Sequence, residues 1–249
     1  MSLKSPLWPA LNLLQWAFIA AWSACWITIA LGLAVATRSR RPSLAMARRV
    51  WAPGILWAAG ARLDAAGAET LDPGRAWFFA CNHQSLGDVP ALLAASPVDL
   101  HFVAKRELRR VPFLGWYMAA MGMVFVDRER RASGRAGALE AAELLRRGRS
   151  VMAFPGGTRG AEGEPQRFKS GALAPPLAAG VPVVPVAVAG AARVVPPGSW
   201  RLRPGIIRVR FGEPVAVDDL GPDDRVALTE RVEQRVEALR RDIEGRSDG

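Results

Sequence analysis

The chain opens on an apolar stretch of unusual length. From Ser5 to Thr37 no Asp, Glu, Lys, Arg or His occurs, and Trp16 to Ala36 (WAFIAAWSACWITIALGLAVA) is almost wholly apolar. A helix that crosses a bilayer needs roughly 20 such residues. No small-residue cleavage site with a polar stretch follows, so the pattern predicts a retained membrane anchor. A second segment, Ser43 to Ala59, mixes Arg48 and Arg49 with Leu44, Val50, Trp51, Ile55, Leu56 and Trp57. This mixture predicts an interfacial helix, broken near Pro53-Gly54.

From about residue 64 the pattern changes, and short apolar runs alternate with helical periodicity. Trp77 to Ala80, Leu100 to Ala104, Met123 to Val126, Val151 to Phe154, Val181 to Val188 and Ile206 to Phe211 read as strands. The prolines in Val181 to Val188 place that strand at an edge or at the start of the sheet. Ser133 opens a helix that Gly148 stops, and Arg225 to Ile243 carries Leu228, Val232, Val236, Leu239 and Ile243 at helical spacing. Strands alternating with helices predict an α/β domain. The organisation expected is an N-terminal membrane-anchoring helical segment over 1–62 and an α/β domain over 63–249, with no internal repeat.

Composition narrows the function. The chain has 249 residues, 50% of them hydrophobic, which excludes a disordered protein. Cys25 and Cys81 do not make a disulfide scaffold, and two histidines exclude a His-rich metal site. The formal net charge of +10 calls for an anionic partner. Its placement says which: Lys4, Arg38, Arg40, Arg41, Arg48 and Arg49 all precede the first acidic residue, Asp64. By the positive-inside rule, the side after residue 37 faces the cytoplasm. Trp8, Trp16, Trp22, Trp26, Trp51 and Trp57 crowd the same region, as aromatic residues do at a membrane interface. A nucleic-acid partner rests on net charge alone and finds no recognisable module. The cations are nearly all arginine, and with abundant Ala, Gly and Pro this points to a GC-rich bacterial genome. Against that bias, Lys105 and Lys169 are either places where an amine is wanted or leftovers of the composition.

Three segments carry candidate chemistry. The first predicted strand delivers Asn82-His83-Gln84-Ser85-Leu86-Gly87-Asp88, where a carboxylate five residues on can orient an imidazole base. A histidine that merely caps a turn has the same local sequence. The fourth strand delivers Phe154-Pro155-Gly156-Gly157-Thr158-Arg159, a glycine turn that can face an anion, followed by Arg167 and Lys169. Its other reading is a tight surface turn. Between them runs the basic stretch Lys105-Arg106-Glu107-Leu108-Arg109-Arg110, ahead of Pro112 and Gly115, which also reads as a solvated face.

In order and spacing, these segments resemble the glycerolipid acyltransferase family, most of all its bacterial 1-acylglycerol-3-phosphate acyltransferases. The likeness runs from about residue 75 to about 215: Asn-His with four residues before Asp88, Lys-x-Glu-Leu leading to Pro112 and Gly115, Phe-Pro-x-Gly-Thr-Arg, and Val-Pro-Val-Val-Pro-Val. The resemblance implies a mixed sheet flanked by helices behind an N-terminal membrane helix or helix pair. It implies transfer of an acyl chain from acyl-CoA or acyl-carrier protein to the hydroxyl of a lysophosphatidate acceptor, giving phosphatidate, with no metal, no cofactor and no covalent acyl-enzyme. His83 is then the general base and Asp88 its orienting partner. Lys105 is a candidate for the oxyanion or donor site. Gly157, Thr158, Arg159 and Lys169 fall to the acceptor phosphate, and Pro185 to the acyl or acceptor pocket. The expected location is the bacterial inner membrane, with the catalytic domain on the cytoplasmic face. One residue departs: the third motif usually has Glu where this chain has Gly156, which opens the way to another acceptor such as a lyso-ornithine lipid. A reading of another class is a non-catalytic membrane-binding protein on the same scaffold, and retention of both His83 and Asp88 argues against it.

Overall fold

The protein is described by a computed structural model covering residues 7–127, 130–157, 160 and 164–245. Lys4, Thr158, Arg159 and Glu162 lie outside the described residues. The helical segment comprises α1 (Leu7–Thr37), α2 (Arg41–Met46), a π-helical turn (Ala47–Trp51) and α3 (Ala52–Ala58). Then follow β1 (Ala61–Ala66), β2 (Phe78–Cys81), α4 (Asp88–Ala95), β3 (Leu100–Lys105), a 3-10 turn (Arg106–Arg110), α5 (Leu114–Ala120), β4 (Val124–Val126), α6 (Arg131–Arg146) and β5 (Ser150–Ala153). The chain ends with α7 (Ala174–Ala179), β6 (Val183–Ala189), α8 (Ala191–Val194), β7 (Gly205–Phe211) and α9 (Arg225–Glu244).

The strands form one sheet in the order β1-β7-β6-β2-β5-β3-β4. It is mixed: β6 meets β7 antiparallel, and every other neighbouring pair is parallel. Alternation along each strand divides the core between two faces. Phe79 and Cys81 of β2 pack with Leu56, Leu92 and Met118, from α3, α4 and α5. Phe78 and Ala80 pack on the other face with Leu145, Leu228 and Val232, from α6 and α9. Both faces being covered, the central strands read as continuous apolar runs, which is what made them visible in the sequence.

Three expectations are corrected. The helix after residue 43 does not break at Pro53-Gly54. The π-helical turn just before Pro53 changes the hydrogen-bond register where the proline ring would otherwise meet the carbonyl of the preceding turn. Gly54 keeps the helix against α1, because a Cβ there would lie 2.4 Å from the Trp22 ring. The strand with two prolines is central, not an edge. Pro185 sits where the β6 pairing shifts by one residue, between Val186↔Phe211 and the bridge Val183↔Val215, so its missing N–H interrupts no regular ladder. Finally, β1 (ARLDAA) is an additional strand. Its alanines and charges give it no strand signature, and its six-residue pairing with β7 supplies the ordering.

α1 is the one helix among the described residues long and apolar enough to cross a membrane, with mean hydropathy 2.0 in its most apolar window. It also docks on the rest of the molecule. Asn12 Nδ2 donates to Leu202 O (3.2 Å), Gln15 Nε2 to Ala58 O (2.8 Å), and Trp22 Nε1 to Trp51 O (3.2 Å). Trp16 Nε1 donates to Trp200 O (2.5 Å), and near the far end Ser43 Oγ donates to Ala30 O (2.7 Å).

The second histidine is structural. His101 is buried in β3, and its Nδ1 lies 3.2 Å from Gly122 O. Burial holds its pKa below the ordinary imidazole value, outweighing the opposing carbonyl bond. The unfolded chain therefore binds a proton that the folded chain refuses, and this stability is complete above the unfolded pKa and is lost as pH falls through the folded one. The melting temperature is expected to drop between about pH 7 and about pH 5, and His101→Gln should flatten that slope in a thermal melt series. An unchanged slope in the variant would rule out His101 as its source.

Candidate active site

The site forms beyond the carboxyl end of β2, where crevices open in α/β sheets. Asn82 ends the strand by acting as an extra backbone unit. Its Nδ2 donates to Val188 O and its Oδ1 accepts from Val188 N, both at 2.8 Å. The chain then turns through Gln84 and Ser85 into α4, whose first residue is Asp88. Asp88 is fully buried, and its Oδ2 accepts the backbone N–H of Gln84 (2.7 Å) and of Ser85 (2.8 Å). The same oxygen lies 2.7 Å from His83 Nδ1.

A carboxylate only accepts, so Nδ1 carries the proton and Nε2 presents a lone pair. The His83 side chain is 16% exposed, enough for that nitrogen to be reached from outside. Its ring stacks on Phe154, with centroids 4.1 Å apart and planes 19° from parallel, and Phe102 stacks behind Phe154 at 6.2 Å. Tautomer and ring plane are thus both set. This is the arrangement of a general base and its orienting carboxylate. The nearby hydroxyl and thiol groups are committed elsewhere. Ser85 Oγ donates to Val195 O (2.6 Å), and burial, followed by the Asp88 charge, pushes the Cys81 thiol up.

The second loop reaches the first by a contact that sequence reading did not find. Gln166 clasps the His83 backbone, its Oε1 accepting from His83 N (2.9 Å) and its Nε2 donating to His83 O (2.8 Å). Gly160 N donates to the same carbonyl at 2.9 Å. No local pattern marks Gln166, because the clasp joins positions far apart in the chain. Gly156, the residue that departs from the third motif, adjoins this amide: a Cβ there would lie 3.1 Å from Gln166 Oε1. Glu164, a nearby carboxylate of the same loop that by position could stand in for the missing Glu, is exposed.

Of the other candidates, Gly157 is in the left-handed region at φ 82°, and the Lys169 side chain lies over it, with Nζ 3.4 Å from where a Cβ would be. Lys169, Gly157 and the His83–Asp88 pair are therefore linked through Phe154 and Pro155, Lys169 N donating to Pro155 O at 3.1 Å. Lys105 ends β3 at the surface, where its Nζ pairs with Glu107 at 3.2 Å. Pro185 is packed inside the sheet in register with Ala80, three residues before His83, and so forms wall rather than lining.

Comparison with known proteins identifies the family. The family model described as Acyltransferase covers residues 62–189, a span containing the His83–Asp88 pair, Lys105, the glycine turn and Pro185. The human 1-acyl-sn-glycerol-3-phosphate acyltransferase alpha is 32% identical over 193 residues, 76% of this chain and 68% of its own. The Pseudomonas aeruginosa 1-acyl-sn-glycerol-3-phosphate acyltransferase is 31% identical over 188 residues, 74% of this chain and 72% of its own. The crystal structure of the 1-acyl-sn-glycerophosphate acyltransferase PlsC from Thermotoga maritima superposes with a TM-score of 0.80 at 27% identity, covering 97% of this chain and 98% of that one. With the family model spanning more than half of the chain and relatives above 30% identity aligned over most of it, this protein is a member of the acyltransferase family.

Proposed function

We propose that the protein transfers an acyl chain from a thioester donor, acyl-CoA or acyl-carrier protein, to the free hydroxyl of 1-acylglycerol-3-phosphate, giving phosphatidate. The observation that carries the chemistry is the His83 Nδ1–Asp88 Oδ2 bond of 2.7 Å beneath a reachable Nε2. Nε2 takes the hydroxyl proton as the acceptor oxygen attacks the thioester carbonyl. Collapse of the tetrahedral intermediate breaks the C–S bond, and the departing thiolate takes the proton back from the imidazolium. Asp88 balances that imidazolium charge while it lasts. No step needs a metal or a bound cofactor. Lys169 over Gly157, together with Thr158 and Arg159, is assigned to the acceptor phosphate. Lys105, on an exposed strand end, suits the phosphates of the donor. Against the reading of a non-catalytic scaffold stands the oriented His83–Asp88 pair itself.

A second acceptor class, such as a lyso-ornithine lipid, is favoured by one observation only, the glycine at 156. We further infer that the enzyme sits on the cytoplasmic face of a bacterial inner membrane, attached by α1 in one leaflet. Contacts at Asn12, Gln15, Trp16, Trp22 and Ala30 hold α1 along the domain and leave Leu13, Leu14, Phe18 and Val35 exposed.

His83→Ala is expected to lower acyl transfer by about 10²–10⁴-fold, the usual worth of a positioned base, while leaving membrane attachment intact. Turnover of radiolabelled acyl-CoA by the purified variant checks this, and undiminished turnover would falsify the mechanism. The same assay, run with a panel of lysolipids and with acyl-carrier protein, tests the acceptor. Strong preference for an acceptor without phosphate would overturn lysophosphatidate.

The clasp at His83 gives a separate expectation. Gln166→Ala should lower kcat by about tenfold or more through loss of alignment, with little change in KM. Gly156→Glu should also lower kcat, since the new side chain crowds Gln166. The double variant should be no worse than Gln166→Ala alone, because both changes act on one contact. Additive losses in the double variant would show the two positions to be independent.

A further inference from the structure

Outside the site, the described surface carries one concentrated feature that the mechanism leaves unused: the segment from Arg106 to Trp116. We propose that this segment is a second membrane contact, seating Phe113 and Trp116 in the interfacial layer of an anionic phospholipid bilayer, with neighbouring arginines on the lipid phosphates. The proposal rests on the membrane-attached reading given above.

Residues 105–113 form an unbroken exposed run. Its bulky apolar members are Leu108, Val111 and Phe113, followed by Trp116, which is 56% exposed. The turn that presents them is strained. Phe113 has φ 59° and ψ −62°, and Leu114 N donates to Pro112 O at 2.7 Å, so Phe113 is the centre of a γ-turn that a bulky residue rarely adopts. Strain of this kind persists only where the surroundings impose it. Here Gly115 lets the turn close, since a Cβ there would lie 2.4 Å from Arg109 O. The result is not burial: the Phe113 ring remains 43% exposed, against Trp116 at a centroid distance of 5.2 Å.

The charges around the turn identify the partner. Arg106, Arg109 and Arg110 alternate with the apolar residues, and Lys105 occupies the single acid of the run, Glu107. Arg109 lies over the Phe125 ring and, with Arg40, lines a cleft of about 420 Å³. The cleft also holds Arg147, Glu140 and Glu143, and Glu143 is bound by Arg147 at 2.8 Å. Among the described residues neither Arg40 nor Arg109 has a carboxylate partner. Arg40 lies in the short connection between α1 and α2, so the cleft opens beside the end of the apolar helix. On the buried side, Leu114 and Tyr117 of α5 pack on the same core as Trp16, Ile19 and Ala34 of α1. Exposed aromatics set among cations, continuous with an apolar helix, match the interfacial layer of an anionic bilayer. The contact also places the end of β3 at the lipid surface. Phe102 of that strand stacks on the Phe154 that holds His83.

The test uses the full chain carrying Cys25→Ser, since Cys25 is the exposed thiol and Cys81 is buried. A single cysteine is introduced as Trp116→Cys, or separately as Leu108→Cys, and labelled with an environment-sensitive nitrobenzoxadiazole dye. Val226→Cys, on an exposed position of α9, is the control. Each protein is mixed with vesicles of phosphatidylcholine alone or with added phosphatidylglycerol, and attachment is read separately by co-sedimentation. The expected result is at least a twofold rise and a blue shift at 116 and 108 on phosphatidylglycerol vesicles, reduced by salt, with no change at 226. Sedimentation without a change at 116 and 108 overturns the loop contact and leaves attachment by α1 standing. An equal response on phosphatidylcholine alone overturns the anionic partner. Failure to sediment overturns both readings.

Discussion

The site depends on one oxygen. Asp88 Oδ2 receives three N–H groups, two from the backbone of Gln84 and Ser85 and one from the His83 ring. The first two fold the 83–88 turn, and the third selects the tautomer of the base. A carboxamide would supply an acceptor too, but it would not balance a charged imidazole. The turn therefore serves as a binding pocket for a carboxylate that the chain itself supplies, and the base is aligned by the same bonds that start α4.

What surrounds that pocket is largely apolar support. β2 is flanked on both sides by buried parallel strands, and its exit is fixed by the amide exchange between Asn82 and Val188. Phe154, arriving from β5, supplies a flat surface to the imidazole. Gln166 returns from the next loop to hold the backbone behind it. These contacts come from four separate stretches of chain, and each constrains His83 from a different direction. Lys105 and Lys169, by contrast, lie at the surface.

Much of this was legible beforehand, for physical reasons. The central strands are covered on both faces and so appear as apolar runs. The helix before them is an uncharged apolar run long enough to cross a membrane. His83 and Asp88 are close in sequence because one tight turn joins them. What escaped depends on tertiary pairing. β1 has the composition of a loop and becomes a strand only beside β7. Pro185 looks like an edge residue until the register shift opposite it is seen. Gln166 is an ordinary polar residue in a glycine-rich stretch, and only the folded loop brings its amide to His83. The missing acid of the third motif was visible as a departure, yet its structural consequence, space for that amide, was not.

The stacked imidazole has a consequence for the order of events. Pinned by Asp88 on Nδ1 and flattened against Phe154, the ring has a single nitrogen free and no room to swing between two stations. In the direct attack proposed above, that one atom both collects the proton from the incoming alcohol and returns it to the departing thiolate. Because that attack leaves no acyl group on the protein, alcohol and thioester have to stand before the ring together.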